Sequence, residues 1–167
     1  SSRAKRMNPL FMRFGLFDPD ALVRRMVPSL GWLFSRTTLI LWVSLCLLSA
    51  VLAWYQWSDI APALQADLTS PRNLIIMWFV FPIMKLLHEL AHALAVRRWG
   101  GEVHEFGVAL LVLLPIPYVD ASQSSGFANK YRRMAVAGAG IAVESTLACI
   151  ALWIWVAVEP GLLQDIA

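Results

Sequence analysis

The sequence predicts an all-α membrane protein with about three transmembrane helices and a re-entrant strand or hairpin element between the second and third. Of its 167 residues, 59% are hydrophobic and only 15% charged, whereas ordinary soluble domains carry about 25% charged residues. Long stretches hold no charge at all, more apolar surface than one soluble core of this length could bury. The basic residues are bunched between those stretches. The net charge of +3 is modest, so a nucleic-acid partner is not expected and a lipid bilayer is.

Residues 1–37 form a basic N-terminal segment, cytoplasmic or interfacial. Phe11, Phe14, Leu16, Phe17, Leu22, Val23, Met26 and Val27 interleave with Arg13, Arg24 and Arg25. That mixture suits a segment lying on an anionic leaflet, and equally an ordinary juxtamembrane linker with some helix. The membrane core covers 38–158. Its first span, Thr38–Trp57, supplies 20 residues without a charge, the length a bilayer needs. Trp54, Tyr55 and Trp57 mark one interface. This span is too long and too far along the chain to be a cleavable signal peptide. The second span, Asn73–Val96, begins as a clean apolar run but carries Lys85, His88, Glu89 and His92 in its second half. The third, Met134–Val158, holds one charge, Glu144, and is rich in Ala and Gly at first, which lets another helix approach closely. Between them, Phe106–Val119 is too short to cross as a helix, and Pro115 and Pro117 interrupt it. Its Val, Leu and Ile suit a strand or hairpin, tolerated at membrane depth only where protein or water satisfies the backbone.

The basic residues orient these spans. Seven precede the first span, none lies in the Ser58–Pro71 loop, five lie between the second and third spans, and none follows the third. By the positive-inside rule, the N-terminus and the Arg97–Arg133 region are cytoplasmic. A true crossing by 106–119 would push Lys130, Arg132 and Arg133 outside, so that segment is read as re-entrant. Cys46 and Cys149 lie in separate apolar segments without a metal-type spacing and read as small buried hydrophobes. The chain begins with Ser1 and stops soon after the third span, with 159–167 a short tail. It therefore reads as a piece of a longer protein.

Within the second span stands His88-Glu89-Leu90-Ala91-His92. On a helix, residues four apart share a face, so both imidazoles can approach one ion. Glu89 can reach a water on that ion without ligating it. This is the HExxH pattern of zinc hydrolases, with two His ligands and a Glu general base. Membrane context adds weight, because each ionisable group mid-bilayer costs about 2.5–3.5 kcal/mol on insertion scales. One bound zinc ion would offset that cost for a helix carrying Lys85, His88, Glu89 and His92. The plainer reading is a polar cavity or a proton path. His92 and His88 lie five and nine residues before Arg97, about 7 and 13 Å from the cytoplasmic end. Lys85 is expected to pair with a carboxylate. Glu144 must face the protein interior, and is expected to orient a ligand and pair with Lys85. His104 and Glu105 read as solvated loop residues.

The run Leu87-His88-Glu89-Leu90-Ala91-His92-Ala93, followed by Gly100-Gly101-Glu102-Val103, resembles the site-2 protease family of intramembrane zinc metalloproteases. Ala139-Gly140-Ile141-Ala142-Val143-Glu144 is similar to that family's small-residue third helix, where Asn commonly stands at the Glu144 position. Pro117-Tyr118-Val119-Asp120 and the overall spacing look most like a bacterial branch of peptide zinc metalloproteases. The likeness covers about half the chain, Leu74 to Trp153. It implies hydrolysis of peptide bonds in membrane-embedded or peptide substrates, in a bacterial inner membrane. His88 and His92 would be zinc ligands and Glu89 the base. The family's third ligand is an Asp, usually followed by Gly, in a later helix. This sequence has no Asp-Gly pair; Asp120 is the best candidate, with Ala121 in place of the Gly and in a position before the Ala-Gly helix. The alternatives are a third ligand beyond Ala167 and, for Asp120, a turn or N-cap beside Ser122. An edge of the Phe106–Leu114 segment could pair with an extended substrate. The rival to a protease is a non-catalytic metal-binding membrane module, or a subunit of a peptide export or transport complex.

Overall fold

The computed structural model describes residues 11–67, 70–111, 114–120 and 126–158. In chain order these form β1 (Phe11–Phe17), α1 (Asp20–Leu30), a 3₁₀ turn (Gly31–Phe34), α2 (Arg36–Tyr55) and α3 (Trp57–Asp67). There follow α4 (Pro71–Arg98), β2 (Phe106–Leu111), β3 (Leu114–Val119) and α5 (Lys130–Val158). The fold is mostly helical, and α2, α4 and α5 are each long and apolar enough to cross a membrane. It is not all-α, because β1, β2 and β3 form one antiparallel sheet in that order. The tail 159–167 and the Ala121–Ser122 stretch lie outside the described residues.

The long helices begin where the chain offers caps. Ser35 precedes α2 and its hydroxyl accepts from the Thr38 N–H at 3.1 Å. Ser70 does the same for Asn73 at 3.3 Å, with Pro71 at the first helical position, where a missing N–H costs nothing. Arg97 and Arg98 close α4, complementing the negative end of its dipole. The helices outrun the apolar runs: α2 starts at Arg36, α4 covers 71–98, and α5 takes in Lys130, Arg132 and Arg133, which the hydropathy pattern leaves in a loop. The first span ends at Tyr55, and Trp57, read as its last residue, joins part of the Ser58–Pro71 loop to form α3 (Trp57–Asp67) around Pro62.

Side-chain bonds fix the direction of each helix. The Trp42 indole N–H donates to Ser145 Oγ at 3.1 Å and that of Trp153 to Ser49 Oγ at 2.9 Å, so residue numbers rise together and α2 runs parallel to α5. His92 meets Val136 while Lys85 meets Glu144, so α4 runs antiparallel to α5. Arg36, Arg97 and the Lys130–Arg133 turn therefore gather at one end of the bundle, the clustering that the positive-inside reading requires.

The N-terminal segment contains the helix that the linker reading allows, α1, and adds a strand that neither reading gave. Phe11–Phe17 pairs with β2 from Phe11↔Leu111 to Phe17↔Phe106, and α1 docks on α4 through Val23, which is 1% exposed. Residues 106–119 form the expected hairpin, but its first strand is no free edge: β2 is central, with β1 on one side and β3 on the other. The outer edge of β3 is closed as well. Pro115 and Pro117 pair with Leu110 and Val108 and have no N–H, so their nitrogens face away from β2. Val119 lies on the same side, and its N–H donates to Glu89 on α4 at 3.2 Å. Extended-chain pairing at β2 is thus excluded in this arrangement, and among the described residues β1 carries the sheet's unpaired edge.

The β1–α1 corner is tied to the segment after α4. Asp20 pairs with Arg97 at 3.4 Å. The exposed His104 ring lies between Asp18, 3.5 Å from Nδ1, and Glu102, 3.1 Å from Nε2. Glu105 is also exposed, as expected of both loop residues. The hydrogen bond to Asp18 is the main cause holding the His104 pKa above its ordinary value, with Glu102 adding to it. Asp18 is lowered, chiefly by the Asp20 N–H that it accepts. The imidazolium tie is therefore complete below the ordinary histidine pKa of about 6.5 and is lost as pH rises through the raised value. The Asp18 contribution runs the other way and is lost in acid. An NMR titration is expected to give His104 a pKa above that of a peptide histidine, falling toward it in Asp18→Asn. An unchanged value in that variant would break the assignment.

Candidate metal centre

The site lies where α4 and α5 cross. Lys85, His88 and His92 follow one another at three- and four-residue spacings and share a face of α4. Val136, Gly140 and Glu144, each four residues from the next, share a face of α5. A Cβ built on Gly140 would stand 2.3 Å from His88 Nε2, so only glycine lets the imidazole lie against the α5 backbone.

Each ring is held by its Nδ1. His92 Nδ1 lies 2.6 Å from the Val136 carbonyl oxygen, and His88 Nδ1 lies 2.9 Å from Glu144 Oε1. Lys85 Nζ donates to the same carboxylate oxygen at 3.0 Å, the partner expected for Lys85. A backbone carbonyl and a carboxylate bonded to lysine can only accept, so the ring N–H sits on Nδ1 in both histidines. Both Nε2 atoms are then left with lone pairs, and they face each other at 3.0 Å. Two lone pairs at that distance repel unless a cation or a proton lies between them. Two nitrogens on one tetrahedral zinc, each at about 2.0–2.1 Å, would be about 3.3 Å apart. The 3.0 Å separation is near that value and is equally that of two imidazoles sharing a proton. The bonds to Nδ1 are the outer contacts that fix tautomer and ring orientation in zinc sites.

Glu89 leaves α4 on the side of β3. Its Oε2 accepts from the Val119 N–H, which anchors the carboxylate one helical position beyond His88. Asp120 follows Val119 directly. It is exposed and its N–H donates to the Glu105 carbonyl at 2.9 Å. Among the described residues, no group of three or more His, Cys, Asp or Glu is arranged to hold an ion; Asp120 does not join His88 and His92 here. The structure thus brings together Lys85, His88, His92 and Glu144, sets Glu89 against the end of β3, and leaves Asp120 outside that cluster. Cys149 is buried and Cys46 partly so.

Sequence reasoning did not single out three contributors: the Val136 carbonyl, the Val119 N–H and Gly140. Gly140 left the clearest trace, standing four residues before the lone acid of its helix, one turn away on the same face.

No family model, curated protein or solved structure matches the chain.

Proposed function

We propose that the chain is the metal-binding core of an intramembrane zinc metallopeptidase that hydrolyses peptide bonds in membrane-embedded or peptide substrates, in a bacterial inner membrane with the N-terminus in the cytoplasm. The observation that carries this reading is the pair of Nε2 atoms 3.0 Å apart, both Nδ1 atoms being committed to acceptors. His88 and His92 would hold one zinc ion, with Glu144 and Val136 orienting their rings. Lys85 holds the Glu144 carboxylate in place. Zinc, when bound, lowers the pKa of a coordinated water toward neutrality and polarises a carbonyl. Glu89 would take a proton from the attacking water and pass it to the departing amine nitrogen. A third ligand is required, and Asp120, next to the residue that meets Glu89, is the candidate in this sequence.

A shared proton between the two imidazoles is the competing account of the same 3.0 Å contact. Metal analysis separates them. Purified protein is expected to carry about one zinc per chain, lost in His88→Ala and in His92→Ala. It should cleave a transmembrane peptide in a reaction stopped by 1,10-phenanthroline and restored by zinc. Metal-free protein that stays folded and does not take up added zinc would sink the proposal. Zinc bound without cleavage would favour the metal-binding module or export-complex subunit.

A further inference from the structure

An open cleft of about 360 Å³ lies between α1, the 3₁₀ turn and the end of α4. Its walls are mixed: Val27, Pro28, Trp32 and Phe34 supply apolar and aromatic surface, and Ser35 and Arg98 supply polar surface. Trp32 is 61% exposed, a large apolar surface left open just before α2 begins. The cleft's cation is Arg98. The neighbouring Arg97 is committed internally, to Asp20 at 3.4 Å and to the Gly101 carbonyl at 3.1 Å. The Arg98 side chain makes no ion pair or hydrogen bond among the described residues. It is placed all the same. A Cβ on Gly31 would meet Arg98 Cδ at 3.2 Å and Nε at 3.3 Å, so the Arg98 stem lies across the bare face of that glycine, aligned with the cleft.

We infer that this cleft binds the phosphodiester headgroup of an anionic phospholipid. The inference rests on the reading that α2, α4 and α5 cross a bilayer. In that setting the start of α2 and the end of α4 share one interface, where anionic headgroups and aromatic side chains both reside. The Arg98 guanidinium presents a planar fork that matches phosphate oxygens. Phe34 supplies an apolar wall for the upper acyl carbons, and Trp32 adds an indole N–H beside the glycerol. Arg132 and Arg133 sit at the same end on α5, outside the cleft, and provide the control for unspecific charge attraction.

The test uses the full chain in mixed micelles holding equal phosphatidylglycerol and phosphatidylcholine, with retained lipid counted by native mass spectrometry. The wild type is expected to keep phosphatidylglycerol about tenfold in preference, the scale of one charge-assisted hydrogen-bonded pair. Arg98→Gln should bring the ratio close to one, and Arg132→Gln should leave it unchanged. Equal losses in Arg98→Gln and Arg132→Gln, or no loss in Arg98→Gln, would overturn the cleft. Displacement of the lipid by millimolar glycerol 3-phosphate would instead make it a site for free phosphate esters. Flotation with pure phosphatidylcholine vesicles keeps the two readings apart. Failure to float overturns the membrane reading and the lipid site with it; flotation without phosphatidylglycerol preference overturns the lipid site alone.

Discussion

Glu89→Gln is expected to lower peptide-bond cleavage by about 10²–10⁴-fold, the usual share of a general base, while leaving zinc content unchanged. The substitution is close to isosteric and removes only the basic oxygen. A glutamine carbonyl can still accept the Val119 N–H that Glu89 Oε2 accepts at 3.2 Å, so the end of β3 should keep its place on α4. The histidine rings should be untouched, because they are fixed from α5 by Glu144 and Val136. The loss should therefore appear in kcat with KM nearly constant, since the missing group acts on the transition state. Circular dichroism and zinc analysis of the same preparation guard against a folding defect. Full cleavage by Glu89→Gln would end the protease reading even if zinc stays bound.

The parts of this fold that the sequence reveals are those with a local signature. Twenty residues without a charge can only be a buried or lipid-facing helix, and α2 is legible for that reason. A charge inside such a run must find a partner, which is how Lys85 and Glu144 point to each other. They meet at 3.0 Å although 59 residues apart in sequence and on different helices. The four-residue spacing of His88 and His92 fixes their shared face through helical periodicity alone. By contrast, β1 is short, lacks a clean alternation and takes its stability from β2, about ninety residues later; no local period reports such a pairing. Hydropathy also marks where hydrocarbon suits the chain, not where helical hydrogen bonds stop, so Arg36 and Lys130 fall outside the apolar runs but inside their helices. The Ser58–Pro71 stretch reads as a loop, yet α3 forms there with Pro62 inside it. At the site itself, Val136 contributes a carbonyl and Val119 an N–H. Every residue but proline has both, so side-chain identity cannot single them out.

Gly140→Ala is expected to abolish stable zinc binding without unfolding the protein, whereas Gly138→Ala, two residues away on the same helix, should leave both unchanged. A Cβ at 140 would stand 2.3 Å from His88 Nε2, 2.4 Å from Cε1 and 2.6 Å from Cδ2, but at 138 it would meet nothing within 4 Å. Three ring atoms at such distances cannot be relieved by a small tilt, so the imidazole must leave its place. It would then lose its bond to Glu144 and its alignment with His92. The helix gains from both substitutions, as Ala is favoured over Gly by about 1 kcal/mol in a helix interior, and a displaced side chain costs less than a displaced backbone. Disturbing the outer contacts of a zinc ligand alone costs about 10–100-fold in affinity; moving the ligand itself should exceed that. Competition with a chromophoric chelator measures the difference directly. Equal zinc affinity in the two variants would show that His88 does not hold the metal where α4 and α5 cross.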